Sequence, residues 1–283
     1  MSGGSGICST FSRRSARSAR TRSLIVRLLV GELLSLRGVS KSFVRGGRSL
    51  PVLEDVSLEV AAGEIVAVEG SRYSGKTTLL RVAAGIVSPD RGEVWFGGHE
   101  LTGLSNVRRE RLLGSEIRWT DREGPGTKLK VRDAIALPLR LGRGRRKTKV
   151  IAEEALARVG VADCAGQRWE DLSYYEGVLA GLARGIGGRP RLLVIDDLLD
   201  ALGLRRTLDV GDLLRSLVGE LGCGVLMSVS DLGTALLADR VWSLRRGALT
   251  LVSDQAAVTD AEIIDFPDPD AARRGVGSRG VGS

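Results

Sequence analysis

The octapeptide at positions 70–77, Gly-Ser-Arg-Tyr-Ser-Gly-Lys-Thr, constrains this chain more than any other feature, because it fits the pattern G-x-x-x-x-G-K-[ST] in full. The apolar run before it, 64–69, predicts a buried strand, and the residues from Lys76 to Ala84 predict a helix. A glycine-containing loop between a strand and a helix is the context in which this pattern binds phosphate. A chance match in an ordinary turn is the competing interpretation, and the flanking elements disfavour it.

The residues of this loop suit a polyphosphate. Gly70 and Gly75 allow backbone N–H groups to close around phosphate oxygens, and the helix N-terminus adds positive potential. We expect Lys76 to reach the terminal phosphates and the Thr77 hydroxyl to bind Mg²⁺. The loop therefore predicts a nucleotide site, whose further members are Ser74 and Thr78.

Charge is distributed unevenly along the 283 residues, whose formal net charge is +8. Residues 1–30 carry six arginines and no acid, and residues 271–283 carry three arginines and no acid, so the body is close to neutral. We predict a disordered Arg/Ser-rich extension at 1–31, a nucleotide-binding domain at 32–262 and a disordered tail at 263–283, with no nucleic-acid partner. A basic arm for a membrane surface or nucleic acid is the alternative for the extension.

Cysteine content and hydropathy favour a reducing cytoplasm. Cys8, Cys164 and Cys223 lie far apart and lack metal-ligand spacing. The apolar run at 24–30 is short and interrupted by Arg27, and no other segment has transmembrane length without charge. Any membrane association is therefore expected to come through a partner.

The order of apolar runs predicts a twisted α/β sheet that a helical subdomain, at about 105–186, interrupts. The basic segment Arg143 to Lys149 is predicted as a loop between two helices, either a solvated connector or a contact for lipid or nucleic acid. The predicted strands are 33–39, 56–60, 65–68, 93–96, 192–195, 224–229 and 239–244, and the predicted helices are 76–84, 131–139, 150–159 and 207–221. The fold class is therefore α/β, a P-loop NTPase parallel-sheet core with an inserted helical subdomain.

The run at 192–197, Leu-Leu-Val-Ile-Asp-Asp, is typical of a central parallel strand that is buried on both faces. Ligands of such sheets bind at the carboxyl ends of the strands. Asp196 is therefore predicted beside the nucleotide, where a carboxylate can hold Mg²⁺ directly or through water.

From about Leu33 to Val252 the chain resembles the nucleotide-binding subunits of ATP-binding cassette (ABC) transporters. The resemblance implies the ABC ATPase fold, with ATP and Mg²⁺ as cofactors, and makes Phe43 the aromatic that stacks on adenine; an ordinary core or edge aromatic is the alternative. The segments that carry it, besides the phosphate loop and 192–196, are 36–43, 77–81, Gly85 and 90–94, and those at 101–104 and 136–139 are similar to the branch that serves lipoprotein release and macrolide export.

Several positions depart from the family's pattern. The signature of the form L-S-G-G-Q/E reads Leu-Ser-Tyr-Tyr-Glu at 172–176, so Ser173 keeps a hydroxyl for the nucleotide of a partner subunit while two tyrosines replace glycines. Asp197 stands in place of the catalytic glutamate and Ser230 in place of the switch histidine. Asp121 aligns, less securely, with the glutamine that senses Mg²⁺, and is a substituted catalytic position and a candidate metal ligand.

The resemblance implies an ATP-binding subunit that docks on a separate membrane permease, at the inner face of the cell membrane, as a homodimer or as a heterodimer with another ABC subunit. Because the phosphate loop is intact while catalytic positions are substituted, we expect Mg·ATP binding with slow hydrolysis. A non-catalytic, nucleotide-gated regulatory or scaffold protein is the alternative. A third interpretation, a P-loop kinase or a nucleic-acid motor, is weaker, because the body of the chain lacks a basic stripe.

Overall fold

The structure, a computed structural model, describes residues 32–121, 124–125, 128–140, 144–200 and 202–254. The predicted extension at 1–31 and tail at 263–283 lie outside these residues, as does Cys8.

The described chain begins with strands, becomes helical in its middle and returns to alternating strands and helices. Its strands are β1 (Glu32–Arg45), β2 (Arg48–Ala61), β3 (Ile65–Glu69), β4 (Arg91–Phe96), β5 (His99–Glu100), β6 (Ile117–Asp121), β7 (Leu192–Asp196), β8 (Gly224–Val229), β9 (Arg240–Arg245) and β10 (Ala248–Asp254). Its α-helices are α1 (Lys76–Ala83), α2 (Asn106–Ser115), α3 (Val131–Ala136), α4 (Arg145–Arg158), α5 (Tyr174–Ile186), α6 (Leu204–Leu221) and α7 (Leu232–Ala235). Short 3-10 helices cover Leu137–Leu139, Ala162–Gly166 and Trp169–Asp171.

The strands form two sheets. An antiparallel sheet has the order β2-β1-β4-β5, and a larger sheet has the order β10-β9-β3-β8-β7-β6. In the larger sheet all neighbours from β9 to β6 are parallel, and only β10 is antiparallel. The carboxyl ends of β3, β7 and β6 therefore lie at one edge, which confirms the predicted α/β class and brings the phosphate loop and Asp196 to that edge.

The central strands are buried on both faces, as their unbroken apolar runs predict. Along β3, Ile65 and Ala67 belong to one core, whereas Val66 and Val68 belong to the other. This alternation follows from the two-residue period of a strand. The first core contains buried residues of the packed helices α3, α4 and α5 and of α6. The second core lies between the two sheets and includes buried residues of α1.

Several predicted bounds were wrong. The basic segment at 143–149 is not a connecting loop, because α4 begins at Arg145 after the extended residue Gly144. The turn is held by the buried Thr148, whose hydroxyl donates to the Arg145 carbonyl at 3.0 Å. The helix predicted at 131–139 ends as an α-helix at Ala136 and continues as a 3-10 turn, because Pro138 has no N–H to donate.

The first two strands are longer than their apolar runs, 33–39 and 56–60, predicted. Beyond these runs β2 still buries Leu53, but the parts nearest the turn, 43–45 and 48–51, have exposed side chains. They meet in a tight turn at Gly46 and Gly47, whose φ values are +57° and +74°. Two consecutive left-handed residues match the twist of a β-hairpin. Backbone pairing rather than burial thus maintains the outer part of this hairpin.

The two described cysteines, Cys164 and Cys223, are both buried free thiols. Burial raises the pKa of Cys223 to about 11, which makes its thiolate scarce at neutral pH. Among the residues that the structure describes, no helix combines the length and the apolar composition that a membrane span requires.

Candidate functional site

The octapeptide of the sequence forms a loop around its own lysine. The loop runs from the end of β3 at Glu69 to the start of α1 at Lys76, as the strand–loop–helix pattern predicts. The Lys76 side chain is 6% exposed, and its ammonium donates to the carbonyl oxygens of Gly70 at 2.6 Å and Ser71 at 3.3 Å. The loop therefore holds a positive charge at the N-terminus of α1, where the first-turn N–H groups have no helical partner.

The glycines of this loop stand where a side chain does not fit. A Cβ at Gly70 would lie 2.6 Å from Ser74 Oγ and 2.8 Å from the Leu244 carbonyl oxygen. Gly75 has a φ of +105°, and its Cβ would lie 2.9 Å from Val52 Cγ1. By contrast, Tyr73 adopts a left-handed φ of +66° with an almost fully exposed ring, over which the Arg72 guanidinium lies 5.3 Å from the centroid.

One polar atom of the loop is buried without a partner. Ser74 Oγ is shielded from solvent and forms no hydrogen bond within the described chain. Buried hydroxyls nearly always have a partner, so an unsatisfied one calls for a group that the loop itself does not supply. A phosphate oxygen between the loop's N–H groups meets that need, and the loop therefore fits a polyphosphate.

Carboxylates collect at the end of the parallel sheet. Asp196 ends β7 and lies opposite Asp121, which ends β6. The Ser228 hydroxyl, on β8, donates to Asp196 Oδ1 at 2.7 Å and accepts the Asp197 N–H at 2.9 Å. Burial raises the pKa of Asp196, the nearby Asp197 acts in the same direction, and hydrogen bonds from Ser228 and Thr77 oppose the shift.

Asp121 has partners within its own chain. Its Oδ2 accepts from Trp119 Nε1 at 2.9 Å, and its Oδ1 accepts from the Gly124 N–H at 3.0 Å. The guanidinium of Arg184, whose pKa is lowered by burial, lies near enough for the two charges to interact. Asp121 therefore lies at the predicted edge of the sheet with both oxygens already hydrogen bonded.

The residues after β7 and β8 meet beside these carboxylates. Ser230 donates from Oγ to Asp200 Oδ2 at 2.7 Å. The hydroxyl of Tyr174, the first residue of α5, donates to the main-chain carbonyl of Asp200. Asp200 Oδ1 is shielded from solvent and has no hydrogen-bond partner among the described residues.

The signature-like segment, residues 172–176, makes several contacts within its own chain. Ser173 caps α5, and its hydroxyl donates to Glu176 Oε2 at 2.6 Å, while the Ser173 N–H donates to the same oxygen at 2.9 Å. These bonds lower the pKa of Glu176. Tyr175 packs against the first core, and the Arg206 guanidinium lies 5.0 Å from the centroid of its ring.

A cleft of about 680 Å³ joins these parts. Most of the sequence-predicted site residues line it, namely Phe43, Ser74, Gly75, Lys76, Thr77, Thr78, Asp121, Asp196, Asp197 and Ser230. Gly70 lies behind the lining as an acceptor for Lys76, and Ser173 does not line the cleft of its own chain. Phe43 is 44% exposed at the rim, with the Lys41 ammonium 5.6 Å from its ring centroid, so part of the residue is open to a ligand.

Sequence reasoning missed six residues that also line the cleft: Val52, Arg72, Tyr73, Arg81, Trp119 and Asp200. Arg72 and Tyr73 lie at variable positions of the loop pattern, and Val52 and Trp119 are apolar residues of strands. Asp200 was the one member with a usable signal, because an acid three residues after an Asp-Asp pair at a strand end lies near the same sheet edge.

The cleft also offers oxygen ligands for a Mg²⁺ ion that is shared with a nucleotide. Within the described ranges, no three His, Cys, Asp or Glu side chains converge as an all-protein metal site. Mg²⁺ ordinarily keeps several waters and binds through one or two carboxylates plus substrate phosphates. Thr77 and Asp196, which lie close enough to interact and both line the cleft, supply the oxygen ligands that such a shared site needs.

The fold and the cleft define a P-loop nucleotide-binding protein with a helical insertion. The protein-family model described as "ABC transporter" matches residues 53–199. The chain therefore belongs to the ABC transporter family, and it carries that family's ATP-binding domain.

Curated relatives agree with this assignment. The chain is 34% identical over 233 residues to the methionine import ATP-binding protein MetN of Myxococcus xanthus, covering 81% of this chain and 69% of the relative. It is 30% identical over 225 residues to the lipoprotein-releasing system ATP-binding protein LolD of Pseudomonas fluorescens, covering 78% and 98%. For MetN 1 of Rhodococcus jostii, at 32% identity, the match spans 74% of this chain but only 65% of the relative.

Solved structures support the fold. The dimeric ATP-binding cassette MJ0796 in a post-hydrolysis state, bound to ADP and Pi, matches with a TM-score of 0.71 at 21% identity, over 78% of this chain and 99% of that one. At this identity the likeness shows the fold alone, and it confirms the ABC ATPase architecture predicted from the sequence.

Proposed function

We propose that this chain is the ATP-binding subunit of a membrane transport complex, and that it binds Mg·ATP in the described cleft but hydrolyses it slowly. The observation that carries the proposal is the contrast within one cleft. The loop that holds phosphate is complete around Lys76. Of the two residues at the positions that would activate water, Asp197 has a shorter side chain than glutamate and Ser230 lacks a basic ring. Binding and turnover are therefore separable properties of this site.

The binding half rests on named contacts. Lys76, now bonded to two loop carbonyls, is positioned to turn to phosphate oxygens, and Ser74 Oγ needs a partner. Thr77 and Asp196 would hold Mg²⁺, which neutralises charge on the phosphate oxygens when bound. Phe43, exposed at the rim, offers a ring face to a base.

The catalytic half is weak for geometric reasons. The Asp197 main chain is fixed by Ser228 in a left-handed conformation, with a φ of +49°, and its Oδ1 lies only 3.3 Å from the same hydroxyl. A carboxylate held against β8 and one methylene shorter than glutamate falls short of a water in the cleft by about an ångström, a displacement that costs roughly a hundredfold in rate. Ser230, already bonded to Asp200, is no general base at neutral pH.

The transport role rests on the family and on the names of relatives, which include a methionine importer subunit and a lipoprotein-releasing subunit. We infer an integral-membrane permease as the partner, a dimer with a second copy or with another ABC subunit, and a peripheral location at the inner face of the cell membrane. The proposed domain spans 32–262, with its helical subdomain at about 105–186.

Calorimetric titration of ATP with Mg²⁺ into the full chain tests the binding half. A saturable isotherm is expected for the wild type, and we expect Lys76→Ala to weaken binding at least about a hundredfold, because a buried charged donor is lost. Lys147→Ala, which removes an exposed cation of α4 outside the cleft, is the matched control. Absence of binding by the folded wild type would overturn the proposal.

Phosphate release tests the catalytic half, with Asp197→Glu as the informative variant. If the short acid limits turnover, the longer side chain raises the rate about tenfold or more while ATP affinity changes little. Rapid turnover by the wild type, on the order of the 10 s⁻¹ usual for enzymes, would contradict slow hydrolysis.

The second candidate is a non-catalytic, nucleotide-gated regulatory or scaffold protein. The contacts of the signature-like segment favour it, because Tyr174 and Tyr175 are both engaged within their own chain. Co-purification separates the two candidates: a polytopic membrane protein as the stable partner supports the transport subunit, and a soluble partner supports the scaffold.

A further inference from the structure

Asp200 is the acid of the cleft whose environment the proposed function leaves unexplained. It lies in the segment between β7 and α6 and lines the cleft with Asp196 and Asp197. Two contacts fix it: the Tyr174 hydroxyl donates to its main-chain carbonyl, and Ser230 Oγ donates to its Oδ2 at 2.7 Å. The carboxylate is therefore positioned, not free to rotate into solvent.

The second oxygen of this carboxylate is unsatisfied. Asp200 Oδ1 is shielded from solvent, and the described part of the chain offers it neither a hydrogen-bond donor nor a lysine or arginine in an ion pair. Leaving a carboxylate oxygen buried without a donor is unfavourable, because that oxygen loses its hydrogen bonds to water and gains none in return. A donor that arrives with the ligand would remove this penalty.

The sign of the charge limits what that ligand is. A metal-free polyphosphate carries only acceptors and negative charge near Asp200, so the two repel each other. A hydrated divalent cation on the same polyphosphate reverses the balance, because its charge attracts the carboxylate and its waters are hydrogen-bond donors.

We propose that Asp200 makes nucleotide binding depend on a divalent cation: its carboxylate accepts a hydrogen bond from a cation-bound water and repels the metal-free nucleotide. Asp200 is a specificity-determining residue in this role, positioned by Tyr174 and Ser230. The inference rests on the proposed binding of Mg·ATP, and it adds a group that the phosphate loop and Asp196 do not supply.

The test compares two dissociation constants of ATP for each protein, one in excess Mg²⁺ and one in EDTA. For Asp200→Asn we expect metal-free ATP to bind about tenfold more tightly than it binds the wild type, because one negative charge leaves the cleft. Binding of Mg·ATP should stay equal or weaken by up to about threefold, since an amide is a poorer acceptor than a carboxylate. The preference for Mg·ATP therefore narrows at least about tenfold.

Two further variants make the result specific. Asp209→Asn removes the same charge from an exposed position on α6, and its preference should equal that of the wild type. Asp200→Ala, with folding checked by thermal unfolding, should also tighten metal-free binding, which guards against an effect peculiar to the amide.

The outcomes separate this inference from the proposed function. If Asp200 has a purely structural role, both Asp200 variants should bind metal-free ATP and Mg·ATP more weakly by the same factor. The ratio of the two dissociation constants would then equal that of the wild type, which would overturn the inference while leaving the proposed ATP binding intact. If the folded wild type binds neither form, the proposed function itself fails.

Discussion

Gly75 joins the phosphate loop to α1, and replacing it by alanine tests whether the shape of the loop depends on the missing side chain. Its φ of +105° lies in the region that favours glycine, and an added Cβ would be 2.9 Å from Val52 Cγ1 and 3.1 Å from the Val52 carbonyl oxygen. The substitution therefore introduces both backbone strain and a collision with β2.

The structure offers a control that isolates the collision. Gly63, in the turn between β2 and β3, also has a left-handed φ of +76°, but its Cβ would have no neighbour within 4 Å. A left-handed alanine costs about 1–2 kcal/mol, and overpacking adds about 1–3 kcal/mol. We therefore expect the free energy of unfolding to fall by about 2–5 kcal/mol for Gly75→Ala and by about 1–2 kcal/mol for Gly63→Ala.

Urea denaturation without nucleotide measures these differences, and ATP titration measures the functional consequence. Relief of the collision displaces the loop next to Lys76, so the ATP affinity of Gly75→Ala should fall at least about tenfold, equivalent to 1.4 kcal/mol, whereas Gly63→Ala should bind normally. Equal destabilisation of the two variants with unchanged ATP affinity would refute the reasoning.

Two other predictions concern buried charge. Burial raises the pKa of Asp196, so its protonated form stabilises the fold at low pH and this contribution is lost as the pH rises through the raised pKa; Asp196→Asn should therefore raise the nucleotide-free Tm by about 2–4 °C at about pH 8, a gain that calorimetry should find shrinking as the pH is lowered. Glu64→Gln leaves Arg240, whose Nε lies 2.6 Å from Glu64 Oε1 in a buried pair, without its counter-charge, and should cost about 3–5 kcal/mol in urea denaturation. Glu153→Gln, at the exposed pair with Arg132, should cost about 0–1 kcal/mol, and an equal loss in both would show that burial is not the cause.

The fold was predictable where one physical signal dominates. The strands β3, β7 and β8 are buried on both faces, and their continuous apolar runs identified them. The strands β6 and β10 were missed for different reasons. In β6 polar residues interrupt the run, and Arg118 is nevertheless buried, whereas β10 is an edge strand with mostly exposed side chains that pairing with β9 maintains.

The site was predictable to the extent that its residues belong to a sequential pattern. The phosphate loop and Asp196 follow from local spacing and from the rule that ligands bind at the carboxyl ends of parallel strands. The Asp200–Ser230 bond joins residues 30 positions apart, on segments after two different strands. Which side chain Ser230 contacts depends on how β7 and β8 pair, and no local pattern encodes that pairing.

The contacts of the signature-like segment also indicate which of its residues would hinder its contact with a nucleotide held by a partner subunit. Freeing the Ser173 hydroxyl breaks one capping interaction with Glu176, worth about 1 kcal/mol, and a hydrogen bond to a charged phosphate returns about 1.5–3 kcal/mol. Moving Tyr175 instead gives up its packing against the core and its contact with Arg206, together on the order of 2 kcal/mol or more, with no compensating phosphate contact. We therefore predict that Ser173 is compatible with a shared nucleotide site and that Tyr175 would resist forming one.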